Sequence, residues 1–519
     1  MSMARAAVFA ALFLLSSAII AHAQDVTLTS RDGNIEISGN LLSFDGEYYR
    51  VDTIYGELTV DGSGVNCVGP GCPSLENYIA RVTLSGAPAV GRVLMPALIE
   101  AFAIRENYDL GRINNGDGRF TYILSEKDST RILGEFSFHL TNSDEGFADL
   151  LADEGDVAMS LREVRKSEIR RGREAGIGDL SATSRSRVVA LDALVPVVSP
   201  SNPVQAITTS DLARVLSGQI DNWAALGGVD APIAVHLRDG RSGLGQATVD
   251  RLLGPIGQEP VADTVFHDTS DALVSAVMND PFAIGVTSRS ETGNTWVLAL
   301  KGECGFSLTA TRRAVKTEDY PLTSPMFLYL PARRLPKLVR EFMAYLRHPS
   351  AQLVIRRAGF VDQAPEEIAI NAQGDRFANA IARAGSEVSL AELQRMVAVL
   401  APLKRLTTTF RFEAGSTRLD AQSRSNVHQL ARALELGLYD ARRLVFVGFS
   451  DGQGPAAGNR TIATRRAQAV RAAVSQAAET ADLNRITMEI EAFGEAMPMA
   501  CDDSEWGRQV NRRVEVWVR

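Results

Sequence analysis

Two charged side chains near the end of the chain have types and spacing that suit a ligand carrying both signs. Asp451 lies in Gly448-Phe449-Ser450-Asp451-Gly452-Gln453-Gly454, a run that ends a strand-like stretch. Arg466 falls in the first turns of the helix that follows. A carboxylate accepts hydrogen bonds from an ammonium. A guanidinium offers a planar fork of donors to a carboxylate, which a lysine point charge does not reproduce. Taken alone, the two residues also suit each other as a structural ion pair. No catalytic set accompanies them: the chain has no Gly-x-Ser-x-Gly elbow. His139, His236, His267, His348 and His428 are scattered, and His22 belongs to the leader. A hydrolase reading is therefore set aside; the protein is expected not to be an enzyme and to need no cofactor.

The four cysteines are Cys67, Cys72, Cys304 and Cys501. Cys67 and Cys72 flank a Gly-Pro-Gly turn, which favours a local disulfide. The rival is a zinc site, which wants four ligands from a chain with six histidines. The pairing of Cys304 and Cys501 is not legible.

The first residues read as an export leader. Arg5 is followed by an apolar run from Ala6 to Ala21 and then by Ala21-His22-Ala23 before Gln24. The alternative, a membrane anchor, is weakened by the shortness of the run against the roughly 20 residues a span needs. The mature chain is expected to start near Gln24 and to carry no transmembrane span. A formal net charge of -8 argues against nucleic acid as a partner.

The elements that must position these residues fall into blocks. Residues 1–23 form the leader and 24–76 a small β-rich unit. Over 77–365, strands such as Val188 to Val198 and Ile233 to Leu237 alternate with helical stretches, indicating an α/β domain with a mostly parallel sheet. Residues 366–404 read as an Ala-rich helical connector. Residues 405–519 read as β-α-β-α-β-β, with strands at Thr407–Phe412, Arg443–Phe449, Ile486–Phe493 and Val514–Val518. The fold class is thus multidomain α/β and α+β.

The last block resembles the OmpA-like peptidoglycan-binding domain. The resemblance rests on Phe410, Phe412 and Leu419, the Gly448–Gly454 run, Asn459, Thr461 and Arg465-Arg466-Ala467. It rests also on Glu495-Ala496-Met497-Pro498 and Gly507 through Glu515. It implies that Asp451 takes the ammonium and Arg466 the carboxylate of the diamino acid in a wall stem peptide, with Asn511 and Arg512 shaping the site. Phe449 stands where the family often has a polar residue.

Residues 80–360 resemble PstS-type phosphate-binding proteins, the two-lobed type II periplasmic binding fold. The matching pieces are Ala193 through Val204, Leu212, Leu216-Ser217-Gly218, Asn222-Trp223, Glu145 through Leu151, Asp156 through Ser160 and Ile284-Gly285-Val286. The resemblance implies an oxyanion held by backbone N–H groups, hydroxyls, an Arg and an Asp. Arg238, Ser242 and Gly243 match; Ser160 and Arg162 remain near the second loop. However, Leu161 replaces the Asp, Leu244 replaces a Thr, and Ser85-Gly86-Ala87-Pro88-Ala89 is poor in hydroxyls. Each lost partner to a charged ligand costs roughly 1.5–3 kcal/mol. The anion site is either degenerate or retuned, with Arg162 and Arg238 available to a carboxylate or sulfate-like group.

These readings combine into one expectation. The protein is a periplasmic, wall-anchored solute-binding-type protein near peptidoglycan and the outer membrane, with a small oxyanion such as phosphate as a candidate ligand. The alternative is the phosphate-binding component of an ABC transport or phosphate-sensing system.

Overall fold

The computed structural model describes residues 25–519 apart from 76, 183, 303–305, 384, 385 and 414. The expected leader and Cys304 lie outside the described residues. No described helix is long and apolar enough to cross a membrane.

The N-terminal unit is a five-stranded sheet whose strands all pair antiparallel. Val26, Leu28, Tyr49 and Val51 form its small core. Cys67 and Cys72 are joined, with Cα atoms 5.8 Å apart. Gly69 between them has φ +132°, and a Cβ there would lie 2.4 Å from the Asp25 carbonyl oxygen, so the turn needs glycine. The unit docks on the middle domain through charge. Arg334 Nε lies 2.6 Å from Asp45, and Arg340 lies 2.8 Å from Glu47.

The middle domain is built on one 11-stranded sheet. The strand Ser186–Val198 is long enough to serve both lobes. It pairs antiparallel with Thr323–Tyr329 along one part and with Ala283–Ser288 along the other. Within one lobe, Ala80–Gly86 pairs parallel with Ile132–Leu140 and Val157–Ser160; within the other, Ala234–Arg238 pairs parallel with Val265–His267 and Ala283–Ser288. The sheet is therefore mixed rather than mostly parallel. The shared strands run antiparallel to their neighbours, and Tyr108–Gly116 and Arg119–Glu126 add an antiparallel edge.

The C-terminal sheet has the order Glu367–Ile368, Lys404–Arg411, Arg513–Val518, Arg443–Phe449, Thr487–Gly494. A short helix, Glu505–Asn511, stands between the last two strands of the chain, which the sequence reading did not include. Period-2 alternation gives the sheet two different faces. Leu406, Phe410, Leu444, Phe446, Val514, Val516 and Val518 pack under helices Ala421–Glu435 and Ala456–Ala477. The other face carries Val445, Val447, Phe449 and Trp517 beside Arg405, Thr409, Arg411, Arg513 and Glu515.

That second face corrects the reading of 366–404 as a connector. Its first residues form an edge strand, Glu367–Ile368. Ala380, Met396, Leu400 and Leu403 then cover Val445, Val447, Phe449 and Trp517. Glu387 also accepts a hydrogen bond from Ala456 N, at the start of the helix Ala456–Ala477, at 2.8 Å. A fragment beginning at residue 405 would bare this apolar surface.

The charged part of the same face meets the middle domain. Arg405, 1% exposed, donates to Asp319 at 2.7 and 3.1 Å and to Thr409 Oγ1 at 3.1 Å. Glu515, with no exposed surface, accepts from Arg513 Nε at 2.7 Å and Trp517 Nε1 at 3.0 Å, and also from Arg376. Burial alone would raise the Glu515 carboxyl; Arg376, Arg405 and Arg513 reverse this and hold it below the usual range. Close by, Lys316 bridges Asp362 and Glu366 at 2.8 and 2.7 Å. The backbones of Glu366 and Thr407 are also joined, Thr407 N donating to Glu366 O.

A cavity of about 250 Å³ remains at this junction, lined by Glu163, Arg251, Glu318, Arg411, Asp420 and Trp506 among others. Glu318 is buried and accepts from Asn426 Nδ2 at 3.1 Å. Burial pushes its carboxyl up to about 8; Asp420 and Asp319 add to the shift, and Arg411 and Asn426 oppose it. A carboxyl raised on folding contributes stability that is complete below the ordinary carboxylate range and is lost as pH rises through about 8. Glu318→Gln keeps the acceptor and cannot ionise. In thermal melts of the mature chain from about pH 5 to about pH 9, the parent should lose stability relative to Glu318→Gln as pH rises. Parallel curves would contradict the assignment.

Candidate functional site

Strand register brings the C-terminal residues together. Arg443–Phe449 runs antiparallel to Arg513–Val518 with Phe449 opposite Arg513. The residues just past one strand end, Ser450 and Asp451, therefore face those just before the other, Asn511 and Arg512. Arg512 Nη1 donates to Asp451 Oδ2 at 2.8 Å, while Arg512 Nη2 engages Glu505. Among the described residues, the other Asp451 oxygen receives only a long bond from Gln453 N, 3.4 Å. Asp451 is thus oriented by a guanidinium on one oxygen and barely engaged on the other.

Arg466 does not pair with Asp451. It projects from the helix Ala456–Ala477 and is 4% exposed. Its guanidinium carbon lies 5.0 Å from the centre of the Phe412 ring, and Nη2 reaches the Ser416 carbonyl at 3.4 Å. Its Nε is buried and has no acceptor among the described residues. Burial lowers its pKa, Arg512 adds to this, and Asp451 opposes it. Asp451 is thus within electrostatic reach of Arg466 without forming a salt bridge with it. A buried donor left unsatisfied costs about 1–3 kcal/mol, which an incoming anion would recover. The alternative of a structural Asp451–Arg466 pair is not realised.

Asn511 holds the neighbouring loop. Its Oδ1 accepts from Met499 N and Ala500 N at 2.7 and 3.1 Å, and its Nδ2 donates to Ala500 O and Asp502 Oδ1, both at 2.8 Å. Asp502 in turn accepts from Gly452 N at 2.7 Å. Asn511 therefore positions the Asp451 loop through Asp502 and spends its own polar atoms doing so. Asn459 adds a second brace, donating to Glu495 at 2.6 Å. Phe449 points away from this site: it is fully buried, its ring 4.3 Å from the Arg513 guanidinium carbon. It leaves the polarity of the loop unchanged. Sequence reasoning missed the roles of Ser416, Asp502 and Glu505, none of which carries a motif; only the register reveals them.

The middle domain has a separate cleft of about 750 Å³. Arg238, Ser242 and Gly243 line it; Ser160 and Arg162 are not among its lining residues. Arg238 is already engaged, donating to His267 O at 3.1 Å, Asp268 O at 2.6 Å and Ser270 Oγ at 2.9 Å. Ser242 caps the helix Gly243–Thr248, accepting from Gly245 N at 3.0 Å and donating to Asp239 O. Ser160 Oγ donates to Arg162 O at 2.8 Å. Arg162 is clamped by Asp144 and Glu168, with Nη2 2.6 Å from Glu168, above the Phe147 ring. The pairing of Arg162 with Arg238 around one anion is therefore not what the fold builds. A Cβ on Gly243 would lie 3.2 Å from Ala87 Cβ and 3.4 Å from Leu161 Cδ1. Apolar groups thus occupy the ground where hydroxyls and a carboxylate were expected. Ser85, near the end of the strand Ala80–Gly86, turns its hydroxyl to Asp149.

Comparison with known proteins matches both halves. A family model described as a PBP superfamily domain covers residues 135–349, and one described as the OmpA family covers 411–512. The phosphate-binding protein PstS of Borreliella burgdorferi is 24% identical over 210 residues, 40% of this chain and 71% of that protein. Protein SphX of Synechococcus elongatus is 28% identical over 228 residues, 42% of this chain and 65% of its own length. An ABC-type phosphate transport receptor from Vibrio cholerae aligns at 22% identity and TM-score 0.42, over 54% of this chain and 99% of the receptor.

The brace assigned to Asn511 has a direct consequence. Asn511→Ala should lower stability by about 2–3 kcal/mol, since buried backbone groups of the loop lose their partners. A urea melt of the mature chain measures it, and a change within about 0.5 kcal/mol would remove the assignment.

Proposed function

We propose, for a chain in which a PBP-superfamily domain is fused to an OmpA-family domain, that the C-terminal domain ties the protein to peptidoglycan in the periplasm and displays the binding domain from the wall. The observation that carries this reading is Arg466: a buried guanidinium on an aromatic ring, with an unpartnered Nε, beside a carboxylate it does not pair with. Such a pair suits a zwitterion, the end of a diamino acid in a stem peptide. Asp451 receives the ammonium on its weakly engaged oxygen, and Arg466 receives the carboxylate. Arg512 aims Asp451 through the hydrogen bond it donates, and Asn511 fixes the loop. Anchoring of this kind places the protein at the wall and the inner side of the outer membrane.

The binding domain acts in this reading as a solute-binding-type module rather than a catalyst. Its cleft retains Arg238, Ser242 and Gly243, which suit a small oxyanion, and this also supports the second reading, a phosphate receptor for transport or sensing. Against tight phosphate binding stand Ala87 and Leu161 beside Gly243, Leu244 in the cleft lining and the internal bonds of Arg238. Calorimetry with inorganic phosphate on the mature chain should show no micromolar binding. Micromolar or tighter binding lost in Arg238→Ala would favour the receptor reading.

Sedimentation with purified sacculi tests the anchor. The mature chain should co-sediment, and Asp451→Ala or Arg466→Ala should abolish most of it. Truncating one partner of a buried charge pair typically costs about 2–5 kcal/mol, roughly thirtyfold to several thousandfold in affinity. Arg466→Lys should also bind poorly, because a point charge cannot replace the fork, whereas Arg471→Ala should bind like the parent. If folded Asp451→Ala and Arg466→Ala both sediment like the parent, the anchor mechanism is wrong.

A further inference from the structure

A second basic cavity, sharing no lining residue with the cleft, lies where the binding domain meets the C-terminal helix Ala421–Glu435. Its volume is about 650 Å³, and its charged lining comprises seven arginines and one carboxylate, Glu435. In a chain of net charge -8 this concentration is not a consequence of composition. Several of these arginines are neutralised within the fold. Arg333 pairs with Asp153 and Asp156, and Arg334 and Arg340 pair with Asp45 and Glu47. Arg185 has no ion pair among the described residues and keeps its charge, although it donates to Pro331 O at 2.6 Å.

The remainder are left with charge to spare. Among the described residues, Arg187 and Arg347 form no ion pair. Arg187 reaches only its neighbour's carbonyl, Ser186 O, at 3.5 Å, and its Nε is buried without an acceptor. Burial lowers the Arg187 pKa to about 10, and the positive charges of Arg347 and Arg185 push the same way. Arg347 is lowered by burial and then by Arg432, and Arg432 has only a 3.4 Å contact with Glu435. His428, one turn before Arg432 on the same helix, is lowered by burial, Arg347 and Arg187. It lines a smaller adjoining cavity with Arg187 and Arg347. Half-buried like charges repel and lose hydration, and an anion placed among them reverses both penalties.

We propose that this junction cavity binds a small molecule bearing two or more phosphoryl groups, held between Arg187 and Arg347 of the binding domain and Arg432 of the C-terminal domain. Guanidinium forks match phosphate oxygens bidentately. Three arginines from two domains exceed what one monoanion would neutralise. The volume exceeds a single oxyanion, and Leu335, Met343 and Ala344 in the lining accommodate an uncharged scaffold between the charged groups. The ligand is therefore either a free oligophosphate or a phosphorylated sugar. The proposal is independent of the wall anchor, because none of these residues belongs to the Asp451–Arg466 site.

Calorimetry on the mature chain at low salt, with inorganic pyrophosphate and with fructose 1,6-bisphosphate as probes, tests it. At least one probe should bind. Arg187→Gln and Arg347→Gln should each weaken that binding about tenfold or more, while Arg238→Gln, in the separate cleft, should leave it intact. Tighter pyrophosphate binding assigns a free oligophosphate, and tighter sugar bisphosphate binding assigns a phosphorylated sugar. If Arg187→Gln does not fold, Arg432→Gln, on an exposed side chain, takes its place. A second readout is the His428 imidazole followed by NMR: bound anion should raise its pKa. Absence of binding by both probes, or binding lost in Arg238→Gln but retained in Arg187→Gln and Arg347→Gln, overturns the proposal.

Discussion

Arg405 sits on one face of the C-terminal sheet with 1% of its surface exposed, and its guanidinium is held by a carboxylate, Asp319, from a different domain. Around it, Arg513 and Glu515 are also removed from water, and Arg376 is half-buried beside them. Desolvating so many charges is unfavourable unless each finds its partner. Removing one partner from such a network costs about 3–5 kcal/mol, because the rest remain buried and uncompensated. The network thus acts less as a source of stability than as a lock on geometry: the sheet face is satisfied only when Asp319 and the 366–404 segment are in place.

Much of the architecture depends on that lock. Asp319 lies just before the strand Thr323–Tyr329, which pairs with the long strand shared by both lobes. The C-terminal domain is therefore docked near the part of the binding domain that both lobes share rather than on the tip of one lobe. Because the docking is charged and buried, the two domains meet through specific hydrogen bonds, and the junction cavities between them are lined by ionisable groups. Glu318 at one cavity and the Arg187–Arg347 cluster at the other are consequences of bringing polar sheet and helix faces together without a continuous apolar seal.

The cleft and the C-terminal site illustrate opposite uses of the same residue type. Arg238 and Arg162 have their donors absorbed by carbonyls, a hydroxyl and carboxylates of the fold. Arg466 keeps a buried donor that has no acceptor among the described residues. An arginine whose donors are already filled contributes little to a ligand, since binding must first break an existing bond. One held unsatisfied on an aromatic ring is prepared for an anion. The distinction is energetic and invisible in the residue names.

Several things were legible in the sequence because they depend on local order. Strand alternation, helix periodicity and glycine-bearing turns disclosed the β unit, the α/β domain and the last domain. Two cysteines across Gly-Pro-Gly disclosed their own bridge, since they stand only five positions apart in the chain. Motif order placed Asp451, Arg466, Asn511 and Arg512 in one domain. What the sequence left open depends on contacts between distant segments. Residues 366–404 read as a connector because their own helices carry no sign of the sheet face they cover. Arg162 read as available because its partners, Asp144 and Glu168, are ordinary surface-type residues until the fold closes them around it. That Asp451 pairs with Arg512 rather than Arg466 follows from the Phe449–Arg513 register. Residue identity and spacing determined which charges the chain would carry; only tertiary structure decided which of them would neutralise each other and which would be left for a ligand, because that choice is made by distances between segments far apart in the chain.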